Sequence, residues 1–238
     1  MTATAMKPAP GNFTLGVTLA IVGTIFFGFS FSLWPDVLAR VRPAVLYVHA
    51  ATAAGWLALL VVQVVLVRRG QVAAHRKVGT YGLWLGAVAA VTSFATALIL
   101  RHLSVVVNHP GDRTIERIAF LAVPLNGFVC FSVALALAAR WRKRPAFHRR
   151  AMMLAATSLM GAGIARIPVL GDLPFFGDVA PAAVLLVLMG HDWRTTGRVH
   201  PVYLWGFPLF VGMEALAAYL SQGHPAWWVA AARWMIGA

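Results

Sequence analysis

Cysteine is nearly absent from this 238-residue sequence, since Cys130 is the only one. One cysteine cannot form a disulfide within the chain, and without a CxxC pair the cysteine-based zinc and iron–sulfur sites are excluded. Acidic residues are also scarce, with seven Asp and Glu in total. Charged residues of both signs make up 11% of the chain, against about 25% in an average soluble domain. An ordinary soluble domain is therefore excluded.

What the chain has in abundance is apolar surface and positive charge. Hydrophobic residues make up 60% of it, the mean hydropathy is +0.77, and 20 Lys and Arg give a formal net charge of +13. Nucleic-acid binding needs a basic face on a soluble body, and the apolar content is too high for one. We therefore expect an integral membrane protein and no nucleic-acid partner.

The apolar residues fall into seven long segments. A membrane-spanning helix needs about 20 mostly apolar residues to cross a hydrocarbon core about 30 Å thick. Continuous apolar character without alternation predicts an all-α polytopic bundle that forms a single domain over 1–238. The predicted spans are 14–33, 44–67, 79–100, 118–139, 151–170, 174–190 and 201–221. Residues 225–237 predict a short interfacial helix after the last span.

The Lys and Arg residues are distributed unequally between the two sides of this predicted bundle. One side holds Lys7, Arg68, Arg69, Arg76, Lys77, Arg140, Arg142, Lys143, Arg144, Arg149, Arg150, Arg194 and Arg198. The other side holds Arg40, Arg42, Arg101, Arg113, Arg117 and Arg233. Because positive loops stay inside, the N-terminus is predicted to be cytoplasmic and the C-terminus to lie on the outer side.

Four ionisable residues fall within the outer half of the predicted bundle: His49, Arg166, Asp178 and Glu214. They lie about 6 to 10 Å deep on four different spans, so we expect them to converge on one pocket. Arg166 is predicted to pair with Asp178 or Glu214, which would neutralise the buried charge. This pair has two interpretations, a structural ion pair or part of a ligand or proton site.

Small residues share the helix face of Arg166 in the fifth span. Ser158, Ala162 and Gly163 precede it by eight, four and three residues. Small residues allow helices to approach closely, so this face is expected to be buried in protein rather than turned to lipid.

Three polar or aromatic residues recur every seven positions along the second span. His49, Trp56 and Gln63 therefore share one helix stripe, and Asn126 adds an amide in the fourth span. The stripe indicates a polar seam that runs inward from the outer pocket. Ordinary interhelical hydrogen bonding uses the same residue types and is the other interpretation.

Histidines recur beside arginines on the cytoplasmic side. His75, His148 and His200 precede the third, fifth and seventh spans, and His191 with Asp192 closes the sixth. Such imidazoles are ligands for zinc, copper, iron or a single haem at the rim, although no tight metal motif is present. The other interpretation is that they bind lipid phosphates and cap helix starts.

A group of uncharacterised bacterial seven-span membrane proteins resembles this chain over about 44–236. The shared motifs are LYVHAATAAGW (46–56), AHRKVG (74–79), FHRRAMMLAATSLMGAGIARIP (147–168), GRVHPVYLWG (197–206) and PAWWVAAARW (225–234). Together with the distribution of Lys and Arg, the resemblance to bacterial proteins predicts a bacterial inner-membrane protein with a periplasmic C-terminus. It also implies that His49, His75, His148, Arg166 and His200 match the family pattern, whereas His191 and Glu214 depart from it. No activity comes with the resemblance.

Three functional hypotheses follow. The first is a non-catalytic membrane protein that binds a lipid, quinone or similar apolar ligand through His49, Arg166 and Asp178. In this hypothesis the protein works alone or as an accessory subunit of a larger membrane complex. The second is a membrane-embedded redox protein with haem or metal held by the rim histidines. The third is a proton-coupled transporter that uses Asp178 and Glu214. The sequence requires no cofactor and leaves open whether the protein is an enzyme.

Overall fold

A computed structural model describes residues 12–32, 42–107, 114–170 and 176–238. These residues form α-helices and one π-helical segment, with no strand among them. The helices are α1 (Asn12–Ser32), α2 (Ala44–Arg68), α3 (Val72–His102), α4 (Thr114–Ala119), α5 (Ala122–Arg140), α6 (Pro145–Thr157), α7 (Met160–Ile164), α8 (Phe176–Thr196), α9 (Pro201–Gly223) and α10 (Ala226–Ile236); the π-helical segment is Leu103–Val107. The all-helical prediction is confirmed for this part of the chain. Of the basic residues used to orient the chain, Lys7, Arg40 and Arg113 lie outside the described residues, as do positions 33, 174 and 175 of the predicted spans.

Five helices in the described ranges are long and apolar enough to cross a membrane. They are Asn12–Ser32, Ala44–Arg68, Val72–Val107, Thr114–Arg140 and Pro201–Gly223. They correspond to five of the predicted spans, namely the first four and the last. A helix satisfies its own backbone hydrogen bonds, which is what a spanning segment needs in hydrocarbon.

The fifth predicted span, 151–170, is not one continuous helix. Its helix starts earlier, at Pro145, and stops at Thr157, and the chain then forms the short α7 and a turn. Thr157 Oγ1 donates to the Met153 carbonyl at 2.8 Å, and Ser158 Oγ donates to the Ala155 carbonyl at 2.9 Å. Hydroxyls that bond back to the preceding turn bend or interrupt helices, which accounts for the break.

The sixth predicted span, 174–190, lies on α8, which extends to Thr196. Its 21 residues are about 31 Å long, which is enough to cross a membrane. However, α8 carries Asp178 near its start and Asp192 and Arg194 near its end, and it is not one of the five apolar helices. The count of seven spans therefore stays a prediction.

Contacts between helix ends show that the longer helices α1, α2, α3, α5, α6, α8 and α9 alternate in direction along the chain. The starts of α1, α3, α6 and α9 meet the ends of α2, α5 and α8 at what we call the basic end. Phe13 of α1 stacks on His191 of α8 with ring centroids 3.7 Å apart. Phe147 of α6 lies 4.5 Å from His200, which precedes α9. His148 Nδ1 lies 2.9 Å from the Ala138 carbonyl of α5.

The opposite end, which we call the far end, is covered by α10. Trp228 Nε1 donates to the Ala119 carbonyl of α4 at 2.9 Å. His102 Nδ1 of α3 lies 2.7 Å from the Ile236 carbonyl. The predicted helix over 225–237 is thus confirmed as a helix, and it packs on the bundle through a buried face that contains Trp228, Ala232 and Ile236.

The middle of the bundle is occupied by α6. Nearly every side chain from Arg150 to Thr157 is buried, because α1, α5, α8 and α9 all contact this helix. Its small residues, such as Ala151, Ala155 and Ala156, are completely buried. Small side chains let several helices approach one central helix without leaving voids.

Glycines bring α1 and α7 into backbone contact. A Cβ on Gly28 would overlap the carbonyl group of Gly163, and a Cβ on Gly163 would lie 2.7 Å from Ile25 Cα. Only a residue without a side chain permits this approach. The contact fixes where the chain emerges after α7.

Gly28→Ala should destabilise the bundle, whereas Gly16→Ala on the same helix should not. A Cβ at Gly16 would have no atom within 4 Å, so alanine should stabilise α1 there by about 0.4–1 kcal/mol. At Gly28 the same methyl group forces α1 and α7 apart, at a cost of about 1–3 kcal/mol. Thermal unfolding of both variants in detergent measures the difference, and equal midpoints would contradict the backbone contact.

Candidate functional site

His49 lies in a polar seam between α2 and α3. Its Nδ1 is 3.4 Å from Thr92 Oγ1, which in turn is 3.3 Å from Thr52 Oγ1. Both threonine hydroxyls also contact backbone carbonyls of their own helices. One turn further along α3, Thr96 Oγ1 donates to the Val45 carbonyl at 3.4 Å. The half-buried imidazole is thus held on one side by hydroxyl groups.

Arg166 follows α7 and its side chain is exposed. The guanidinium donates to the Ala162 carbonyl and lies over the Phe29 ring of α1, 4.1 Å from the ring centroid. It is close enough to His49 for its charge to act on the imidazole. The Gly28–Gly163 contact explains this position, because it places the turn after α7 beside the end of α1.

The predicted pairing of Arg166 with an acidic residue is wrong. The described residues contain no ion pair between Arg166 and either Asp178 or Glu214. The expectation that its face is buried is also wrong in part, since Ala162 and Arg166 are exposed while Gly163 is buried. The reason is the end of α7 at Ile164, which takes Arg166 off the helix whose periodicity the prediction used.

Asp178 and Glu214 instead interact with each other, in a group formed by α5, α8 and α9. The Glu214 carboxyl interacts with the side chains of both Asp178 and Asn126. Asn126 is buried, and its Oδ1 accepts a hydrogen bond from Cys130 Sγ at 3.3 Å. We call Asn126, Cys130, Asp178 and Glu214 the carboxyl group cluster. The sequence predicted one outer pocket. The structure instead has two groups of side chains, His49 with Arg166 and the carboxyl group cluster.

The stripe of His49, Trp56 and Gln63 runs along α2 as predicted, but its members have different surroundings. Trp56 is buried and packs edge-on against Phe131 of α5, with ring centroids 4.9 Å apart. Gln63 lies at the basic end. Its amide is satisfied when the nitrogen donates to His75 Nδ1 at 2.5 Å.

The rim histidines form one pair and one separate residue. The rings of His75 and His148 are 6.3 Å apart, whereas Phe147 lies against His200. His200 Nδ1 accepts from the Val202 amide at 3.2 Å and so caps α9. Burial, together with the charge of Arg150, lowers the pKa of His200 and favours the neutral form that this cap needs. In the described ranges, no three His, Cys, Asp or Glu side chains are grouped to hold a metal ion.

Sequence reasoning missed the ion pair of Arg150 with Asp192. Arg150 Nε and Nη2 each donate to an Asp192 carboxylate oxygen at 2.6 Å, and the two side chains are only 6% and 5% exposed. Arg150 also donates to the Ala146 carbonyl and lies 6.0 Å from the Tyr203 ring centroid. A signal was present, since Asp192 is the one acidic residue assigned by sequence to the strongly basic side.

No family model, curated protein or solved structure matches this chain. The resemblance to bacterial seven-span proteins stays a prediction.

Asp192→Ala should destabilise the protein by about 3–5 kcal/mol, because it leaves the buried Arg150 charge without a partner. The double variant Arg150→Met/Asp192→Leu removes both charges and should recover most of that loss. Equilibrium unfolding in mixed micelles measures both. A double variant as unstable as Asp192→Ala would show that the ion pair is not what holds α6 against α8.

Proposed function

We propose that the protein crosses the bacterial inner membrane seven times and binds an apolar ligand with a polar head group, a lipid or a quinone, at His49 and Arg166. Its N-terminus is cytoplasmic and its C-terminus periplasmic in this proposal. Almost all described residues lie in the helices, which suits a binding protein or an accessory subunit of a membrane complex.

The observation that supports this proposal most is the exposed Arg166 side chain, which forms no ion pair with a carboxylate of the described residues. A cation at membrane depth is costly unless an anion or a dipole lies beside it. Asp178 and Glu214 are engaged with each other and leave this charge to other partners. A head group with carbonyl or phosphate oxygens supplies such a partner.

The surroundings of Arg166 combine polar and apolar surface. The charge of Arg166 reaches His49, and the Phe29 ring lies under the guanidinium. One turn before Phe29 on α1, Phe26 is 43% exposed, and Phe27 and Phe31 are exposed as well. An apolar tail would therefore have aromatic side chains to pack against while its head group binds Arg166 and His49.

In this proposal, fewer residues contact the ligand head group than in the first hypothesis. The first hypothesis combined His49, Arg166 and Asp178, and the carboxyl group cluster now engages Asp178 elsewhere. His49 and Arg166 remain as the two groups that a ligand would contact. Trp56, Gln63 and Asn126 act as packing and hydrogen-bonding residues in this proposal.

Arg166→Ala should reduce the lipid or quinone that co-purifies with the protein by about tenfold, because a charge-assisted hydrogen bond to the head group is lost. Extraction followed by mass spectrometry measures ligand per protein. Arg166→Lys keeps the charge and should retain more ligand than alanine. Arg233→Ala, an exposed arginine on α10, is the matched control and should change nothing. Unchanged ligand in Arg166→Ala would contradict the proposal.

A second candidate is proton-coupled transport, which the carboxyl group cluster favours. Two carboxyl groups in direct contact are most stable when they share one proton, because two ionised carboxylates repel each other. Asn126 is buried, and its side chain interacts with the Glu214 carboxyl. A proton site made by three helices could couple proton movement to rearrangement of those helices.

Asp178→Asn and Glu214→Gln should each slow proton movement at least about tenfold if this candidate is correct, because each removes one of the two groups that hold the proton. Proteoliposomes with an internal pH dye and an imposed pH gradient measure the flux. Glu116→Gln, an exposed acid on α4, is the matched control. The candidate is abandoned if neither variant changes the flux.

A further inference from the structure

Two arginines face each other where α3 meets α4 at the far end. The Arg101 guanidinium of α3 lies over the Phe120 ring, 4.9 Å from its centroid. Arg117 of α4 reaches back, and its Nη1 lies 3.4 Å from both the carbonyl oxygen and Oγ of Ser104. Residues 101 and 104 are one turn apart on one helix, and residues 117 and 120 are one turn apart on the next segment. Both cations therefore lie on a single interface, which we call the arginine pair.

The arginine pair has hydrogen-bonding capacity left over. A guanidinium carries five N–H donors, yet Arg101 Nε is buried without any hydrogen-bond partner. The two bonds of Arg117 are long and come from one nitrogen. Buried unpaired donors are rare in proteins and call for an explanation.

The two charges also repel each other. Arg101 and Arg117 are close enough for their charges to interact. No Asp or Glu within the described ranges 12–32, 42–107, 114–170 and 176–238 forms an ion pair with either arginine. An oxyanion between them would satisfy the free donors and remove the repulsion at once.

The predicted depth of the arginine pair in the membrane indicates which kind of molecule carries that anion. Arg101 directly follows the predicted span 79–100, and Arg117 directly precedes the predicted span 118–139. On these predicted bounds, both guanidinium groups lie at the level of lipid head groups. On the neighbouring α10, Trp227 and Trp234 are exposed at the same end, as tryptophans at a membrane interface are.

We propose that Arg101 and Arg117 together bind the phosphate of a phospholipid in the leaflet at the far end. Planar guanidinium groups suit phosphate oxygens because each can donate two parallel hydrogen bonds. Ser104 adds a hydroxyl beside them, and the Phe120 ring holds Arg101 in place. This site is separate from His49 and Arg166 and does not rest on the function proposed for them.

The test compares three probes on the detergent-purified full chain by native mass spectrometry. The probes are a short-chain phosphatidylglycerol, the diacylglycerol with the same acyl chains, and inorganic phosphate. Wild-type protein should bind phosphatidylglycerol at least about tenfold more tightly than diacylglycerol, which lacks the phosphate. Arg101→Gln/Arg117→Gln should bind the two lipids alike. Arg233→Gln, which changes an exposed arginine on the neighbouring α10, should behave as wild type.

Two outcomes overturn the proposal. One is equal binding of the two lipids by wild-type protein, a result that depends on no variant being folded. The other is an arginine-dependent response to inorganic phosphate with none to phosphatidylglycerol, which would make free phosphate the occupant. If the double glutamine variant does not fold, Arg101→Lys/Arg117→Lys keeps both charges and should weaken phosphatidylglycerol binding severalfold, because lysine lacks the planar donor pair.

Discussion

The bundle depends on a buried ion pair at its basic end. Arg150 of the central helix and Asp192 of α8 form two parallel hydrogen bonds with almost no exposure to solvent. Neither charge is tolerable there alone, so the pair sets the register of α6 against α8. The Tyr203 ring, at the start of α9, lies beside it. Three helices are thereby held together at one end.

The same helices separate the polar groups in the other half of the bundle. Arg166 lies in a turn beside α1, while Asp178 and Glu214 meet on α8 and α9. A charge at membrane depth either finds an internal partner or faces outward. The acidic residues do the former and Arg166 does the latter. The two proposed sites would then lie on different helices, which allows each to be altered by substitution without the other.

Apolar length predicted the five long helices, because an α-helix satisfies its backbone hydrogen bonds within its own segment, as hydrocarbon requires. It could not predict the break after Thr157, which depends on two hydroxyls that bond backwards. Once the helix stops, depth and face computed along it no longer locate Arg166. Likewise, Asp192 reads as a loop residue by sequence, and its burial becomes visible only when α6 and α8 are placed side by side.

One helical segment is much longer than the hydrocarbon core of a membrane is thick. The segment from Val72 to Val107 is about 54 Å long, against about 30 Å of hydrocarbon. His75 lies near one end and Arg101 near the other, about 39 Å apart at the helical rise. If this segment tilts as a rigid rod by about 5°, His75 and Arg101 are displaced sideways relative to each other by about 3 Å. A change in bilayer thickness tilts long helices. Such a tilt would move His75 of the histidine pair and Arg101 of the arginine pair at the same time.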